Sequence, residues 1–263
     1  MKITIVTAYY NRRDLFIKSL ETISHTSHGD FDVIAVNDAS DSDQEIDDLP
    51  ERFPFLKVIN IKKEEKTWVN PCIPYNIGFS NVDSDVIIIQ NPECLHMGDI
   101  ISYVSENIVD NKYMVFNCYS VNKPMTNVLG VCNTQDEIKT VVTPFLPAFN
   151  GDGNIGWYNH SVYRPVHYHF CSAITYKDLK KIKGFDERFS QGVGFDDNEM
   201  LERIDRSDIQ LHEVNCEELV AIHQYHEPGN YGLGMDLVNR NRDLLMQIKK
   251  EQHIGSPENT FFN

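Results

Sequence analysis

Short apolar runs alternate with helical patterns through the first part of the chain, and this alternation constrains the fold more than any other feature. The runs are continuous and rich in β-branched residues, which is typical of strands buried on both faces. They are Ile3–Ala8, Phe31–Val36, Leu56–Ile61, Asp85–Ile89 and Tyr113–Cys118. Helical patterns at residues 12–23, 71–81 and 97–109, and a short acidic helix or turn at 41–49, separate them. The alternation predicts a single α/β domain with a mainly parallel central sheet and helices on both faces.

The pattern weakens over residues 121–164, which include the glycine-rich stretch 150–156. Long irregular segments inside compact domains tend to form lids or binding loops. Strands are expected again at 166–175, 210–214 and 219–223, with helices ending near residue 183, at 195–206 and at 233–252. We expect one domain over residues 1–230, with two halves that meet near residue 120, followed by a C-terminal helix and tail over 231–263.

Charge and cysteine usage argue against several classes of protein. The formal net charge of -15 and the pI near 5.0 disfavour non-specific binding to nucleic acid or to an anionic membrane. The 6 cysteines are scattered and include no C-x-x-C pair, which indicates core thiols rather than a disulfide framework or a zinc site. The sequence contains no signal-peptide pattern and no apolar run of membrane-spanning length. We expect a cytoplasmic protein, and peripheral contact with a membrane is compatible with the sequence. The sequence does not indicate an oligomeric state.

Polar and aromatic side chains follow the predicted strands, at the edge where open α/β sheets bind ligands. Aromatic faces can stack on a base, arginine can pair with a diphosphate, and carboxylate and amide oxygens can hold Mg²⁺ or Mn²⁺. The residues concerned are Thr7, Tyr9, Tyr10 and Arg12 in and after the first strand, Asp38 after the second, Gln90, Asn91 and Glu93 after the fourth, and His223 and His226 near the end. Each fragment alone is also typical of a turn or of packing, but together they favour a ligand site.

Two adjacent carboxylates, Asp196 and Asp197, follow the glycine-rich turn 192–194 and open a predicted helix. A helix start fixes the direction of its side chains, and a glycine turn lets a ligand approach the backbone. This arrangement suits a general base at the floor of a pocket. The alternative is an acidic first turn that only complements the helix dipole.

Three common nucleotide and hydrolase signatures are absent from the sequence. No G-x-G-x-x-G follows the first strand, which argues against a dinucleotide oxidoreductase. No G-x-x-x-x-G-K-[ST] is found, which argues against a P-loop NTPase, and no G-x-S-x-G is found, which argues against an α/β-hydrolase.

The order of these fragments resembles that of family 2 glycosyltransferases of the GT-A fold. Residues 5–12 resemble the first strand and the loop that meets the nucleotide, and Val-Asn-Asp-Ala-Ser at 36–40 resembles the family's V-D-D-G-S element. Asn-Ile-Gly at 76–78 resembles the family's R-N-x-G helix. Gly-Phe-Asp-Glu at 184–187, followed by Gly-Phe-Asp-Asp at 194–197, resembles G-F-D-E … W-G-x-E-D. The resemblance covers about residues 3–230.

The resemblance implies an inverting glycosyltransferase that uses a nucleotide-sugar donor, with a UDP-sugar favoured, and Mn²⁺ or Mg²⁺. It implies that Glu93 and His223 hold the metal, that Asp197 is the general base, and that Asp196 holds a sugar or acceptor hydroxyl. The nucleotide would contact Thr7, Tyr9, Tyr10, Arg12, Asp38 and Asn76. Residues 1–120 would form the nucleotide-binding half and 121–230 the acceptor and catalytic half. A glycan, a glycolipid and a glycoprotein all stay open as acceptors, and nucleic acid is not expected as a partner.

Further polar and aromatic residues are expected near the donor sugar or the acceptor. They are Gln90, Asn91, Trp157, Asn159, Arg164 and His226. Residues 150–169 carry several aromatic faces that suit sugar rings, as well as His167 and His169, and could form the acceptor side or a lid. A packed loop with satisfied polar groups is the alternative.

Two departures from the family pattern keep other functions open. Gln-Asn-Pro-Glu at 90–93 replaces the family's D-x-D, and Tyr75 replaces the arginine of R-N-x-G, so that Lys66 or Arg12 would have to supply the cation. The missing D-x-D leaves a non-catalytic nucleotide- or carbohydrate-binding protein of the same fold as one alternative. A sugar-1-phosphate nucleotidyltransferase is another, although the glycine-rich signature of that class is absent after the first strand.

Overall fold

The computed structural model describes residues 1–146, 155–227, 234–250 and 257–262. These ranges contain ten strands of one sheet. The strands are β1 (Ile3–Tyr9), β2 (Phe31–Asn37), β3 (Leu56–Asn60), β4 (Val86–Gln90), β5 (Cys94–Met97), β6 (Lys112–Ser120), β7 (Gly156–Asn159), β8 (Cys171–Thr175), β9 (Gln210–Val214) and β10 (Val220–His223). The main path through the sheet is β3-β2-β1-β4-β8-β6-β10-β5, and β7 and β9 also pair with β6.

The helices of the described ranges alternate with these strands. They are α1 (Arg13–Ile23), α2 (Leu49–Arg52), α3 (Cys72–Ser80), α4 (Ile100–Asn107), α5 (Lys123–Gly130), α6 (Gln135–Val142), α7 (Tyr176–Ile182), α8 (Asp196–Asp205) and α9 (Met235–Lys250). Short 3-10 turns lie at Ser42–Gln44, Thr143–Phe145 and Glu187–Gln191.

Helices cover both faces of the sheet because successive strand residues point to opposite sides. Ile5 of β1 belongs to a core that includes Phe16 and Leu20 of α1. Val6, the next residue, belongs to the opposite core with Phe79 of α3. The predicted α/β domain with helices on both faces is therefore confirmed.

Strand direction brings several chain segments to one edge of the sheet. The strand pairs β1–β2, β1–β4, β2–β3, β6–β10 and β6–β9 are parallel, so β1, β2 and β4 all end at the same edge. Strand β8 is antiparallel to β4, with Cys171 opposite Gln90, so the residues before β8 arrive at that edge too. Ligand-binding residues can therefore come from strand ends and from one strand start.

The prediction of an irregular segment over 121–164 is wrong for most of its described part. Asn122 accepts a hydrogen bond from Met125 N and starts α5, and a reciprocal capping box of Thr134 and Glu137 starts α6. These two helices are short, and local caps define them more clearly than apolar periodicity does. Strand β5 was also not predicted, and residues 150–154 of the glycine-rich stretch lie outside the described residues.

Two predictions drawn from composition can be compared with the structure. The 6 cysteines are all free, so they form no disulfide framework. Five of them are buried, and Cys216 is partly exposed. Among the described residues, no helix combines the length and the apolar character that crossing a membrane requires.

Candidate active site

A cleft of about 440 Å³ opens at the edge of the sheet where β1 and β2 end. Its walls come from the segments that follow these strands, from the loop before α3 and from the turn before α8. The lining residues are Ala8, Tyr10, Arg12, Asp38, Lys66, Trp68, Val69, Asn70, Pro71, Tyr75, Val193 and Gly194.

Asp38, just after β2, has a polar partner for each carboxylate oxygen. Trp68 Nε1 donates to Asp38 Oδ1 at 2.9 Å, and Lys66 Nζ lies 2.9 Å from Asp38 Oδ2. The Lys66 ammonium also lies 4.1 Å from the ring centroid of Tyr10, a partly exposed residue. Burial raises the pKa of Asp38, against the opposing effect of Lys66 and Trp68. This end of the cleft thus offers a hydrogen-bond acceptor, a cation and an aromatic face side by side.

Glu93 is the centre of a second group of side chains. Its Oε2 lies 2.8 Å from Arg12 Nη1, while its Oε1 lies 2.9 Å from His223 Nε2 and 3.3 Å from His226 Nε2. Strand pairing explains the contact with His223, because β10 places His223 opposite Cys94, the neighbour of Glu93. The structure therefore brings together Glu93 and His223, and it adds His226, which the sequence placed near the sugar instead.

Electrostatics keep Glu93 ionised although its side chain is only 1% exposed. Burial by itself would raise the pKa of Glu93, but the charges of Arg12 and His223 outweigh this effect and hold that pKa well below its usual range. Oxygen and nitrogen atoms of Glu93, His223 and His226 all lie within 4.8 Å of one another. One carboxylate with two imidazoles fits a divalent ion, and imidazole favours Mn²⁺ over Mg²⁺.

The start of α8 presents the paired carboxylates. Gly194 and Phe195 both have left-handed backbone conformations, with φ of +67° and +68°, and they turn the chain sharply into the helix. A positive φ is costly for phenylalanine, and such strain is found mainly where the surrounding structure enforces it. Asp196 and Asp197 are the first two residues of the helix. The predicted position of the pair after a glycine turn is confirmed.

The two carboxylates have different surroundings. Asp196 is buried and its Oδ1 accepts a hydrogen bond of 2.8 Å from Asn70 Nδ2. Burial and the neighbouring charge of Asp197 together raise the pKa of Asp196 to about 6. Asp197 is more exposed, and its Oδ1 lies 2.6 Å from Nε2 of the buried His169. Asp197 is therefore the member of the pair that solvent can reach, although it is not one of the residues that line the cleft.

Two lining residues connect the cleft with these groups. Arg12 lines the cleft and contacts Glu93, and Asn70 lines the cleft and contacts Asp196. A single ligand in the cleft would therefore lie next to both the Glu93 group and the start of α8.

Three residues expected to contact the nucleotide do not line the cleft. Thr7 is buried in β1, and the hydroxyl of the fully buried Tyr9 donates to the Gln44 carbonyl at 2.6 Å. The side chain of Asn76 donates to the carbonyl of Phe185 and accepts from its backbone N–H, both at 2.9 Å. The amide of Asn76 therefore holds the turn at residue 185 in place. Tyr10, Arg12 and Asp38, by contrast, all line the cleft.

The side chains of Gln90 and Asn91 have different hydrogen-bond partners. Gln90 is buried, and its amide bonds to the Cys94 carbonyl and to His96. Asn91 Oδ1 accepts from the Tyr75 hydroxyl at 3.3 Å, and its Nδ2 approaches Glu93 at 3.4 Å. Asn91 is thus beside the Glu93 group, whereas Gln90 supports β5 from within the core.

The residues expected to bind sugar in 155–169 make contacts within the protein. Trp157 packs edge-to-face against Tyr119, with ring centroids 5.0 Å apart. Asn159 is buried and donates to the Phe116 carbonyl at 3.0 Å, and Arg164 donates to the Tyr158 carbonyl at 3.2 Å. The contacts of Trp157 and Asn159 tie the described part of the loop to β6, whereas the contact of Arg164 stays within the loop.

The sequence did not predict Trp68 or Asn70 as site residues, and it predicted no contact between His169 and the paired carboxylates. Trp68 and Asn70 lie between a strand and a helix, where no periodic pattern marks a function. His169 precedes an antiparallel strand, so inspection of strand ends alone does not find it. Only the antiparallel direction of β8 places His169 at the edge of the sheet where β4 ends.

Comparison with known proteins gives the family of the chain. A family model described as glycosyl transferase family 2 matches residues 4–171, and one described as N-terminal domain of galactosyltransferase matches residues 166–227. No curated protein matches the chain.

Solved structures with the same fold share little sequence with the chain. S. aureus TarS 1-349 in complex with UDP-GlcNAc has 12% identity and a TM-score of 0.62, over 89% of this chain and 61% of that one. The mannosyltransferase PcManGT from Pyrobaculum calidifontis, in complex with GDP-Man and Mn²⁺, has 13% identity and a TM-score of 0.54, over 88% and 59%. This chain covers between 37% and 65% of the length of each TarS or PcManGT chain that it matches. The GT-A fold is confirmed, and because the family 2 model covers more than half of its residues, the chain belongs to glycosyl transferase family 2.

Proposed function

We propose that the chain transfers a sugar from a nucleotide-sugar donor to an acceptor hydroxyl, with inversion at the anomeric carbon. One observation carries the proposal: a single cleft joins Asp38 and Lys66 through Arg12 to the Glu93 group, and through Asn70 to Asp196. Membership of glycosyl transferase family 2 supports this reaction class.

We favour uracil as the base of the donor nucleotide. Uracil offers an N–H donor beside a carbonyl acceptor, and Asp38 and Lys66 offer the complementary acceptor and donor 2.9 Å apart. The Tyr10 ring beside Lys66 adds a face on which a base can stack. S. aureus TarS has been solved with UDP and with UDP-GlcNAc, which agrees with this choice.

Glu93, His223 and His226 would hold the divalent cation, for which we favour Mn²⁺ because two of the three ligands are imidazoles. The solved complex of PcManGT with GDP-Man and Mn²⁺ agrees with this choice. A cation at this position would neutralise charge on the diphosphate leaving group. Arg12, held against Glu93 Oε2, places a second positive charge at the same end of the cleft.

Asp197 acts as the general base in this proposal. The acceptor oxygen forms a bond to the anomeric carbon while the bond from that carbon to the diphosphate oxygen breaks. The electron pair leaves with the nucleoside diphosphate, and the acceptor proton passes to the Asp197 carboxylate. Attack opposite to the leaving group inverts the anomeric centre. Asp196, fixed by Asn70, orients a sugar or acceptor hydroxyl.

The Asp197→Asn variant tests the assignment of the base. We expect UDP release from a panel of UDP-sugars, with water and simple glycosides as acceptors, to fall by about 10²–10⁴-fold. UDP affinity, measured by calorimetry, should stay close to that of the wild type because the carboxylate does not hold the nucleotide. Glu202→Gln, a change of the same chemistry on the outer part of α8, is the control. Turnover by Asp197→Asn at the wild-type rate would contradict the proposal.

A further inference from the structure

The carboxylate of Asp197 has a buried partner that the proposed reaction has not used. His169 Nε2 lies 2.6 Å from Asp197 Oδ1. The imidazole is 7% exposed, while the Asp197 side chain is 30% exposed. The contact therefore joins a buried imidazole to the buried Oδ1 of a carboxylate whose side chain is otherwise partly exposed.

Aromatic rings hold the imidazole of His169 in one orientation. The ring of Tyr75 meets it nearly perpendicularly, with centroids 6.0 Å apart, and the ring of Phe185 lies 4.6 Å away. The turn that carries Phe185 is itself fixed by two hydrogen bonds with the Asn76 amide, one donated and one accepted by that amide. Rotation of the imidazole would disturb both aromatic contacts, so Nε2 stays directed at Asp197.

The polar environment of His169 selects the same arrangement. Its Nδ1 is buried and has no hydrogen-bond partner among the described residues. A proton on Nδ1 alone would be left unsatisfied, whereas a proton on Nε2 lies beside the Asp197 carboxylate, 2.6 Å from Nε2 to Oδ1. The neutral Nε2–H tautomer and the imidazolium ion both donate from Nε2.

We propose that His169 is a positioning residue for Asp197, whose Oδ1 is held 2.6 Å from Nε2 by charge attraction so that Oδ2 faces the acceptor hydroxyl. This inference rests on the proposed role of Asp197 as the base. Without such a contact the carboxylate could rotate about its side-chain bonds, and fewer encounters with the hydroxyl would be productive.

The charges around the pair give a signal that can be measured without any substrate. Burial lowers the pKa of His169, but the charge of Asp197 and its hydrogen bond outweigh this effect, so that the net direction is upward. Asp196 is the other carboxylate near the imidazole, and Tyr75 is the titratable group that packs on it from α3. Removal of the Asp197 charge should therefore lower the pKa of His169.

Imidazole NMR of the full chain measures this directly. In the wild type we expect Nε2 of His169 to carry a proton, and in Asp197→Asn we expect the pKa of His169 to fall. Glu202→Gln removes one charge farther along α8 and should leave that pKa unchanged. An unchanged pKa of His169 in Asp197→Asn, or a neutral tautomer with its proton on Nδ1, would overturn the inference.

Two substitutions then separate positioning from packing. His169→Gln keeps an N–H donor near the position of Nε2, whereas His169→Leu keeps similar volume without a donor. In the UDP-release assay we expect the Gln variant to retain most of the wild-type rate and the Leu variant to lose about tenfold or more. Equal rates in the two variants, with UDP affinity intact in both, would overturn the positioning role. Absence of UDP release in the wild type would instead count against the proposed function, and the NMR result would still decide the contact.

Discussion

Asn70 Nδ2 donates to Asp196 Oδ1 at 2.8 Å, and this bond joins two segments that lie 126 positions apart in the chain. Asn70 is itself fixed, because its Oδ1 accepts from Cys72 N at 2.9 Å and its backbone N–H donates to the Ser190 carbonyl at 3.1 Å. The loop before α3 and the turn before α8 are thus held against each other. The position of the paired carboxylates relative to the cleft depends on this connection.

Asp196→Asn should stabilise the protein at neutral pH. The pKa of Asp196 is about 6 in the fold, above the ordinary value of 3.8, so ionisation of this carboxyl weakens the folded state as pH rises through 6. Below about pH 3 the carboxyl is protonated in both the folded and the unfolded chain, and the substitution should have little effect there. Above pH 7 the variant should gain up to about 3 kcal/mol in free energy of unfolding.

Urea unfolding across about pH 3–8 measures this difference. Asp205→Asn, an exposed change at the end of the same helix, serves as the control and should show no pH-dependent gain. A gain for Asp196→Asn that is the same at every pH would mean that the pKa of this carboxyl is not raised by folding.

Lys66→Met should reduce the preference of the cleft for uracil. In the proposed binding mode, Lys66 donates to a base carbonyl beside the acceptor Asp38, and a hydrogen bond to a charged group contributes about 1.5–3 kcal/mol. We expect UDP affinity to fall by about tenfold or more. In CDP, the ring nitrogen that corresponds to the uracil N–H is an acceptor and cannot donate to Asp38. CDP should therefore bind weakly to both the wild type and Lys66→Met. Calorimetry with Lys62→Met, an exposed cation nearby, gives the control, and equal losses for Lys62→Met and Lys66→Met would refute a specific role for Lys66.

Phe262→Ala should destabilise the turn at residues 184–185. Phe262 is 3% exposed and packs edge-to-face on Phe79, and its ring lies 2.9 Å from where a Cβ of Gly184 would be. Loss of such a buried ring costs about 3 kcal/mol in free energy of unfolding. Phe261→Ala is the matched control, because Phe261 is 42% exposed and should contribute far less. Similar losses for both variants in urea unfolding would show that residues 258–262 do not pack as described.

The alternation of strands and helices in the first 120 residues was predictable because those strands pair mostly in parallel and are buried on both faces. Continuous apolar runs such as Ile3–Tyr9 carry that information locally. The short helices α5 and α6 were not predicted, because their caps and not their periodicity define them. Strand β5, with four residues between a polar turn and a helix, is too short to give a pattern of its own.

The chemistry-bearing residues were easier to find than their partners. Asp38, Glu93 and Asp197 follow strands or open a helix, so the rule that ligands bind at one edge of the sheet selects them as candidates. Asn76 belongs to a family-like motif, yet its amide bonds to Phe185, 109 positions away, which no local pattern reveals. The contact between His169 and Asp197 depends on the antiparallel direction of β8, which the apolar run at 171–175 does not encode.

The central claim is that Glu93 helps to hold a divalent cation beside the nucleotide. Its most direct test is UDP binding measured by calorimetry with Mn²⁺, with Mg²⁺ and with EDTA. The measurement is made on the wild type and on Glu93→Gln. Glu213→Gln, which alters a carboxylate–histidine pair elsewhere, is the control. We predict that UDP binds more tightly with Mn²⁺ than with Mg²⁺ or EDTA. We also predict that Glu93→Gln loses the metal-dependent gain while Glu213→Gln keeps it. UDP affinity that is unaffected by both the metal and the Glu93 substitution would contradict the account.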